Sequence, residues 1–288
     1  MRARLLDPAR ARLGEGPLWD AYRELVHWVD IDGATWHRWS FEEGALPVVP
    51  LQQTPGFLAL HADGSLLAGV ATGFARLSDD GTLAMLALVE NRSDHRMNDG
   101  EVDPSGRVWG STVARSCDRP TGSLWRLDLD GSAHEAISSV TVGNGIAFTE
   151  DGTSMWFVDS GARTVDRLTV DPATGHVSAR RPVVRFDDDE EPDGLCMDAD
   201  GGVWVAVWGG GSVRRYDTAG RETARVEVPA AHVTSCAFAG PQLDQLVITT
   251  ARRDTDRSEA GGLFVAEPGV QGRLPSLARI ASPAPRPR

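Results

Sequence analysis

Residues 190–211 read EEPDGLCMDADGGVWVAVWGGG and join two kinds of segment. The second segment, Gly202–Trp208, is rich in valine and tryptophan and follows a glycine-containing turn, which predicts a β-strand. The first segment sets the carboxylate of Asp193 between a proline and a glycine, directly before a short apolar stretch. The same arrangement recurs along the chain with a different polar residue each time, so the repeat carries the information about the fold.

A turn followed by an apolar strand recurs along the 288 residues at intervals of about 40 to 50 residues. That interval is the length of one four-stranded propeller blade, and six such units account for nearly the whole chain. The sequence therefore predicts an all-β fold, a six-bladed β-propeller with four-stranded blades. A pair of β-sandwiches would not produce this regular spacing. The strands read ELVHWVDI (24–31), GSLLAGVA (64–71), GRVWGSTV (106–113), SMWFVDS (154–160), GVWVAVW (202–208) and QLVITTA (245–251).

The repeat leaves no room for a second domain, so residues 1–288 are expected to form one propeller. Radial closure explains how many short strands avoid exposed edges. Residues 1–13 are a candidate for closing the last blade. Residues 281–288, ASPAPRPR, are expected to form a flexible tail.

Composition excludes several classes of function. The net charge of −12 disfavours nucleic acid and anionic membrane as partners. All 29 basic residues are arginine, which excludes a Schiff-base lysine and a P-loop. The three scattered cysteines are expected to be reduced, and neither a signal peptide nor a long apolar span is present. We expect a cytoplasmic protein, monomeric or weakly oligomeric.

A polar residue marks the start of most predicted innermost strands, about ten residues before each repeated strand. Equivalent positions in successive blades are related by rotation about the propeller axis, so these side chains should converge at one mouth of the channel. The oxygen-bearing residues at these positions are Glu15, Asn98, Asp99, Asn144 and Asp193, with Thr234 and Ser235 in the last blade.

Several carboxylates packed together would repel one another and raise one another's pKa unless a counter-charge were present. A divalent cation removes the conflict, and carboxylate and amide oxygens suit Ca²⁺, Mg²⁺ or Mn²⁺, with Zn²⁺ and Fe²⁺ left open. The alternative is that Asn-Gly, Asp-Gly and Glu-Gly are ordinary turn dipeptides. The coincidence of Glu15, Asn144 and Asp193 at one blade position favours the cation site.

These motifs closely resemble the regucalcin (senescence marker protein)/gluconolactonase family over nearly the whole chain. The resemblance implies a six-bladed propeller that hydrolyses a sugar lactone with one divalent cation. The matching segments are GEGPLWD (14–20), RMNDGEVDPSGRVWGST (96–112), VGNGIAFTEDGTSMWFVDS (142–160), PDGLCMDADGGVWVAVW (192–208), TSCAF (234–238) and EAGGLFV (259–265).

The resemblance also implies roles for individual residues. By motif position Glu15, Asn144 and Asp193 would hold the cation, with Asp193 also the acid/base residue. Arg96, Asn98 and Asp99 would bind the substrate. After GSTV the chain departs from the animal members, which carry acidic residues where this sequence has Arg115 and Ser116. Substrate identity is therefore open, and a pentose-derived lactone is one candidate.

The proposed chemistry also follows from general principles. Ester cleavage needs an electrophile at the carbonyl and charge stabilisation for the developing oxyanion, which a metal with open positions supplies. A carboxylate such as Asp193 can act as general base within one water of the reacting carbon. Arg96 could anchor ring hydroxyls or the carbonyl through its forked donors.

Other functions remain open at this point. A metal site in such a propeller could attack phosphorus, as in an organophosphate (phosphotriester) hydrolase, or could bind a cation without turnover. A protein-interaction propeller would not need converging Glu, Asn and Asp side chains, and the chain lacks the G-H…W-D signature of that class. His95 is expected on a solvated loop. Trp109, Trp156 and Trp204 are expected to pack between blades, and Cys196 to fill the core.

Overall fold

The computed structural model describes residues 1–253 and 259–281. Within this part of the chain, strands β1–β25 form six antiparallel sheets, and one 3-10 turn, Ser160–Ala162, is the single helical element. No helix among the described residues is long and apolar enough to cross a membrane. The prediction of an all-β, six-bladed propeller is confirmed.

Four blades have four strands each in chain order from the axis outward. Blade two contains β7–β10, blade three β11–β14, blade four β15–β18 and blade five β19–β22. The strands of blade two are Pro55–Leu60, Leu66–Val70, Gly73–Leu77 and Leu83–Leu88, and those of blade three are His95–Val102, Val108–Ala114, Gly122–Leu127 and Ala133–Val140. The strands of blade four are Gly143–Phe148, Ser154–Asp159, Thr164–Val170 and Val177–Arg185. The strands of blade five are Glu191–Met197, Val203–Trp208, Ser212–Tyr216 and Glu222–Glu227.

Blade one departs from this pattern at its outer edge. It contains β2 (Gly14–Asp20), β3 (Leu25–Asp30) and β4 (Thr35–Ser40), and its fourth position is divided between β5 (Gly44–Ala45) and β6 (Val49–Pro50), which both pair with β4. Pro47 lies between the two fragments and has no N–H to donate, so it cannot contribute to a continuous strand ladder.

Blade six combines the two ends of the described chain. It contains β23 (Val233–Ala239), β24 (Gln245–Thr250), β25 (Leu263–Ala266) and, as the outermost strand, β1 (Arg4–Asp7). Arg4 pairs with Val265 and Leu5 with Phe264. The innermost strands contact one another in order, and β23 contacts β2, so the ring closes between blades six and one.

The core lies between the faces of adjacent blades. Trp109, Trp156 and Trp204 are fully buried there, as expected from their places at the start of the second strands. Two of these indoles are held by the aspartate of the preceding turn. Nε1 of Trp109 donates to Asp103 (3.1 Å) and Nε1 of Trp204 donates to Asp198 (2.9 Å), so the buried ring nitrogen is satisfied in each case.

Residues 272–281 cross one mouth of the central channel. Gly272 donates its N–H to the carbonyl of Leu243, Ala278 to Leu60 and Arg279 to Gly106, which belong to blades six, two and three. All three acceptors lie at or beyond the carboxyl ends of innermost strands. The opposite mouth, where the innermost strands begin, is the end that carries the predicted site residues.

Candidate metal centre and active site

Every innermost strand contains a β-bulge or register irregularity near its beginning. The bulge inserts extra backbone, bends the strand and redirects a side chain, and such features concentrate beside active sites. The predicted site residues lie in or next to these irregularities, which explains how equivalent side chains turn toward the axis. The irregularities fall between Glu15 and Leu18, Pro55 and Phe57, Met97 and Gly100, Gly143 and Ile146, Pro192 and Leu195, and Val233 and Ser235.

The glycines that follow the site residues permit close approach of neighbouring innermost strands. A Cβ on Gly145 would lie 2.6 Å from the backbone nitrogen of Leu195, and one on Gly194 would lie 2.8 Å from the Cα of Ser235. Both distances are below ordinary contact, so a larger residue would force the strands apart. Asn144-Gly145 and Asp193-Gly194 therefore lie within paired strands rather than in turns, and the turn interpretation is wrong for them.

A chain of hydrogen bonds joins the site residues of three blades. Arg96 donates from Nη1 to Oδ1 of Asn98 (2.5 Å), and Nδ2 of Asn98 donates to Oδ1 of Asn144 (2.6 Å). Nδ2 of Asn144 donates to the hydroxyl of Ser160 (2.8 Å), which donates to the carbonyl of Pro192 (2.6 Å). The chain ends beside Asp193 and gives the Asn144 amide a defined orientation.

Glu15 and Asp193 are the charged members of this group. Each of the two residues belongs to an innermost strand, and each is only 6% exposed. Burial, followed by the charges of Glu15 and Asp99, raises the pKa of Asp193 well above its usual range. Burial and then the charge of Asp99 likewise raise the pKa of Glu15, against a weaker opposing effect of the Arg96 guanidinium. The carboxylate of Glu15 therefore lies close enough to disfavour ionisation of Asp193.

The donors in this ring fit a hard divalent cation. Oδ1 of Asp193 is buried and has no hydrogen-bond partner among the described residues, which is costly for a carboxylate oxygen unless another ligand occupies that position. Oδ1 of Asn144 uses one lone pair for Asn98 and retains a second. The described residues contain no group of three His, Cys, Asp or Glu side chains that could hold a metal, so a third protein ligand beside Glu15 and Asp193 would be a neutral oxygen, such as Oδ1 of Asn144.

Asp99 follows Asn98 on β11 and is partly exposed. Its Oδ1 accepts the N–H of Gly100 (2.7 Å), and its side chain lines a cavity of about 650 Å³ that extends down the axis to residues 272–281. Glu101 lines the same cavity. Both residues are partly exposed to the cavity, and burial raises the pKa of Asp99 to about 6 and that of Glu101 to about 7.

The loop from Val113 to Pro120 lies near the guanidinium of Arg96. Burial lowers the pKa of Arg96, and the charges that act on it next include Cys117 and, more weakly, Arg115. Nε of Arg115 donates to the carbonyl of Ser93 (3.3 Å), and the Ser116 hydroxyl donates to Asp118. Arg115 and Ser116 therefore border the site.

Two residues behave differently from expectation. His95 is 3% exposed and bonds to Asp94 (2.8 Å) and Thr121 (2.9 Å), so the prediction of a solvated loop histidine is wrong. Thr234 is fully buried, and its hydroxyl donates to the carbonyl of Gly14 (2.5 Å), which links blades six and one. Its hydroxyl is committed to this inter-blade contact.

Ser160 is the principal residue that sequence reasoning missed. It follows β16 rather than starting an innermost strand, so the spacing that identified the other residues does not select it. Its position depends on the 3-10 turn Ser160–Ala162, where Asp159 accepts the N–H groups of Thr141 (3.2 Å) and Val142 (3.1 Å). The Asp-Ser-Gly sequence after the strand was the available signal.

Comparison with known proteins agrees with this geometry. The family described as SMP-30/Gluconolactonase/LRE-like region matches residues 13–252. The chain is 38% identical over 276 residues to pentonolactonase XacC of Haloferax volcanii, covering 91% of this chain and 93% of that protein. It is 32% identical over 284 residues to regucalcin of Macaca fascicularis, covering 93% and 95%.

A solved structure has the same architecture. The calcium-binding protein regucalcin from Agrobacterium tumefaciens superposes with a TM-score of 0.91 at 30% identity, covering 96% of this chain and 97% of that one. The resemblance first seen in the motifs therefore extends along the described propeller. The chain belongs to the SMP-30/Gluconolactonase/LRE-like family.

Proposed function

We propose that this protein is a sugar lactonase that hydrolyses an aldonolactone to the aldonic acid with one divalent cation, as a step in carbohydrate catabolism. The observation that carries the proposal is the buried, unpartnered Oδ1 of Asp193 beside the carboxylate of Glu15. Membership of the family and the pentonolactonase relative support the choice of a sugar lactone. A pentono-lactone is the first substrate to test.

Glu15, Asn144 and Asp193 would hold the cation. When bound, it supplies an electrophile for the lactone carbonyl and charge stabilisation for the developing oxyanion. The two carboxylates would balance its charge, which would offset the repulsion by which Glu15 raises the pKa of Asp193. Ca²⁺, Mg²⁺, Mn²⁺, Zn²⁺ and Fe²⁺ are all candidates.

Asp193 would also move the proton. With its unpartnered Oδ1 assigned to the cation, the other carboxylate oxygen, Oδ2, would accept a proton from the attacking water and later return it to the ring oxygen that leaves. The Ser160 hydroxyl anchors the adjoining Pro192 carbonyl and so limits movement of the Asp193 backbone. Asn144 cannot take up a proton, so the base would be one of the two carboxylates, and the family resemblance at the motif PDG assigns it to Asp193.

Arg96 and Asn98 would have different tasks in substrate binding. Among residues 1–253 and 259–281, Arg96 donates only from Nη1, to Met97 (3.0 Å) and Asn98, so Nε and Nη2 would serve hydroxyl or carbonyl oxygens of a lactone. Asn98 spends both amide hydrogens on Gly143 (2.9 Å) and Asn144. We therefore assign Asn98 mainly to positioning, with one oxygen lone pair left for substrate.

The experiment measures acid release from a panel of freshly prepared pentono- and hexonolactones. The assay is repeated after chelation and again after add-back of each cation. The proposal expects turnover of at least one lactone, loss on chelation and recovery with a divalent ion. An aryl phosphotriester is assayed beside them. Preferred turnover of the phosphotriester, or tight cation binding without turnover of any lactone, would refute the proposed activity.

A further inference from the structure

Two thiols meet in the wall of the axial cavity, away from the proposed cation ring. Sγ of Cys196 on β19 lies 3.7 Å from Sγ of Cys236 on β23, although 40 residues separate them in the chain. β19 and β23 are the innermost strands of successive blades. The proposed lactonase mechanism uses neither thiol.

We propose that Cys196 and Cys236 form an oxidisable dithiol, a modification site at which a peroxide forms a reversible disulfide between blades five and six. A disulfide needs a sulfur separation of about 2.05 Å, so the sulfurs must approach by roughly 1.7 Å. The strands are already in tight contact one and two residues earlier, where a Cβ on Gly194 would meet the side chain and Cα of Ser235. Side-chain rotation therefore has a short distance to cover.

The surroundings of the two sulfurs assign an order to the reaction. Cys196 is partly exposed to the cavity of about 650 Å³, whereas Cys236 is 3% exposed and its Sγ lies 3.6 Å from the carbonyl oxygen of Trp204. The Cys196 thiolate attacks one peroxide oxygen and becomes a sulfenic acid, with the other oxygen leaving as water after protonation. Cys236 then attacks the Cys196 sulfur, the S–O bond breaks and a second water leaves.

The environment also predicts a slow reaction. Burial raises the pKa of the Cys196 thiol, and the neighbouring Cys236, Asp198 and Glu101 add to the effect, so little thiolate is present at neutral pH. Cys117 is exposed, whereas Cys196 is partly buried and Cys236 is buried, which makes Cys117 an internal reference for the oxidant. Oxidation is therefore best followed in mildly alkaline buffer, over a period long enough to consume Cys117.

The test uses the full chain carrying Cys117→Ser, treated with hydrogen peroxide, denatured, alkylated and mapped by peptide mass spectrometry. The expected product is a Cys196–Cys236 linked peptide pair that dithiothreitol releases. Two free, alkylated thiols after an exposure that fully oxidises Cys117 in the parent chain would overturn the proposal. Oxidation of Cys196 to the sulfinic acid without a linked pair would overturn it as well.

Two further measurements test the order. In Cys236→Ala, Cys196 should accumulate as a sulfenic acid that dimedone traps; in Cys196→Ala, modification of Cys236 should be slower by at least about tenfold. Equal or faster modification of Cys236 would contradict the assigned order. The peptide map in the Cys117→Ser chain needs neither buried substitution, so it decides the disulfide itself even if these variants fold poorly.

Discussion

The side-chain amide of Asn144 donates a hydrogen bond to the hydroxyl of Ser160 over 2.8 Å. That contact fixes which end of the amide is oxygen at the ring, because the nitrogen is committed to Ser160 and the oxygen accepts from Asn98. Ser160 passes the constraint on to blade five through the carbonyl of Pro192. A neutral serine thus connects the proposed amide ligand to the strand that carries Asp193.

Replacing Ser160 with alanine should loosen both Asn144 and the strand beside Asp193. Residues that orient metal ligands are typically worth 10- to 100-fold in affinity or activity, so we expect a loss of about tenfold in cation affinity and a fall in kcat. The measurement is a cation titration by calorimetry alongside lactone kinetics. Ser78→Ala, an exposed serine after β9, is the matched control. Unchanged affinity in Ser160→Ala would contradict the positioning role.

Asp193→Asn separates the proposed ligand role from the proposed base. The amide keeps an oxygen donor of nearly the same shape but cannot accept the proton, which is typically worth roughly 10²- to 10⁴-fold in rate. Cation affinity should also fall, because an amide is a weaker ligand for a hard ion. The deciding measurement is turnover at saturating cation.

Asp99→Asn also removes one negative charge from the channel and tests substrate binding separately, because Asp99 faces the cavity. Near wild-type turnover of Asp193→Asn at saturating cation would leave Asp193 as a ligand only. Asp99 was predicted to bind substrate, and a raised KM in Asp99→Asn would support that role.

The loop from Val113 to Pro120 should govern the choice between lactones. Ser116→Glu introduces an acidic side chain into this loop, near the Arg96 guanidinium. We expect the ratio of kcat/KM between hexono- and pentonolactones to change by about tenfold, with little change in cation affinity. Arg181→Ala, exposed on β18, is the control for a distant change of charge. An unchanged ranking across Ser116→Glu and Arg115→Ala would argue against the loop.

Glu101 makes a separate prediction about stability. Burial, with a smaller contribution from Asp99, raises the pKa of Glu101 from 4.5 to about 7. The folded chain therefore holds a proton that the unfolded chain releases between these values. The contribution of Glu101 to the free energy of unfolding is greatest below pH 4.5. That contribution is lost as the pH rises through about 7.

Glu101→Gln removes that ionisation and keeps an oxygen that can accept the N–H of Val102. The variant should melt at a higher temperature than the parent chain near pH 8 and at about the same temperature near pH 4. Thermal unfolding across this pH range is the measurement, with exposed Glu42→Gln as the control. A difference that stays constant with pH would assign the effect to packing instead.

The repeat spacing was sufficient to predict the blades, because each blade must bury the same two faces and so repeats the same apolar pattern. The split outer strand of blade one was not predicted, since two short fragments around Pro47 carry little hydrophobic signal. The course of residues 272–281 was also missed, because backbone hydrogen bonds to loops of three blades leave no periodic pattern in the sequence.

The candidate site was predicted in part. Polar-Gly steps located residues that the bulges turn toward the axis, but the strand approach that makes Gly145 and Gly194 necessary depends on inter-blade distances that spacing does not reveal. The hydrogen bonds of Ser160, His95 and Thr234 depend on which partner lies nearby after folding. Asn144 and Thr234 are both polar residues at the start of an innermost strand, yet Asn144 is a proposed ligand and Thr234 makes an inter-blade contact.

The most direct test of the central claim is the paired measurement of bound cation and lactone turnover in Glu15→Ala. Glu15 contributes one of the two ring carboxylates, and its removal should leave the propeller folded by circular dichroism. The account predicts substoichiometric or much weaker cation binding and a matching loss of lactone hydrolysis, which excess cation partly restores. A folded Glu15→Ala chain with full cation occupancy and wild-type turnover would contradict it.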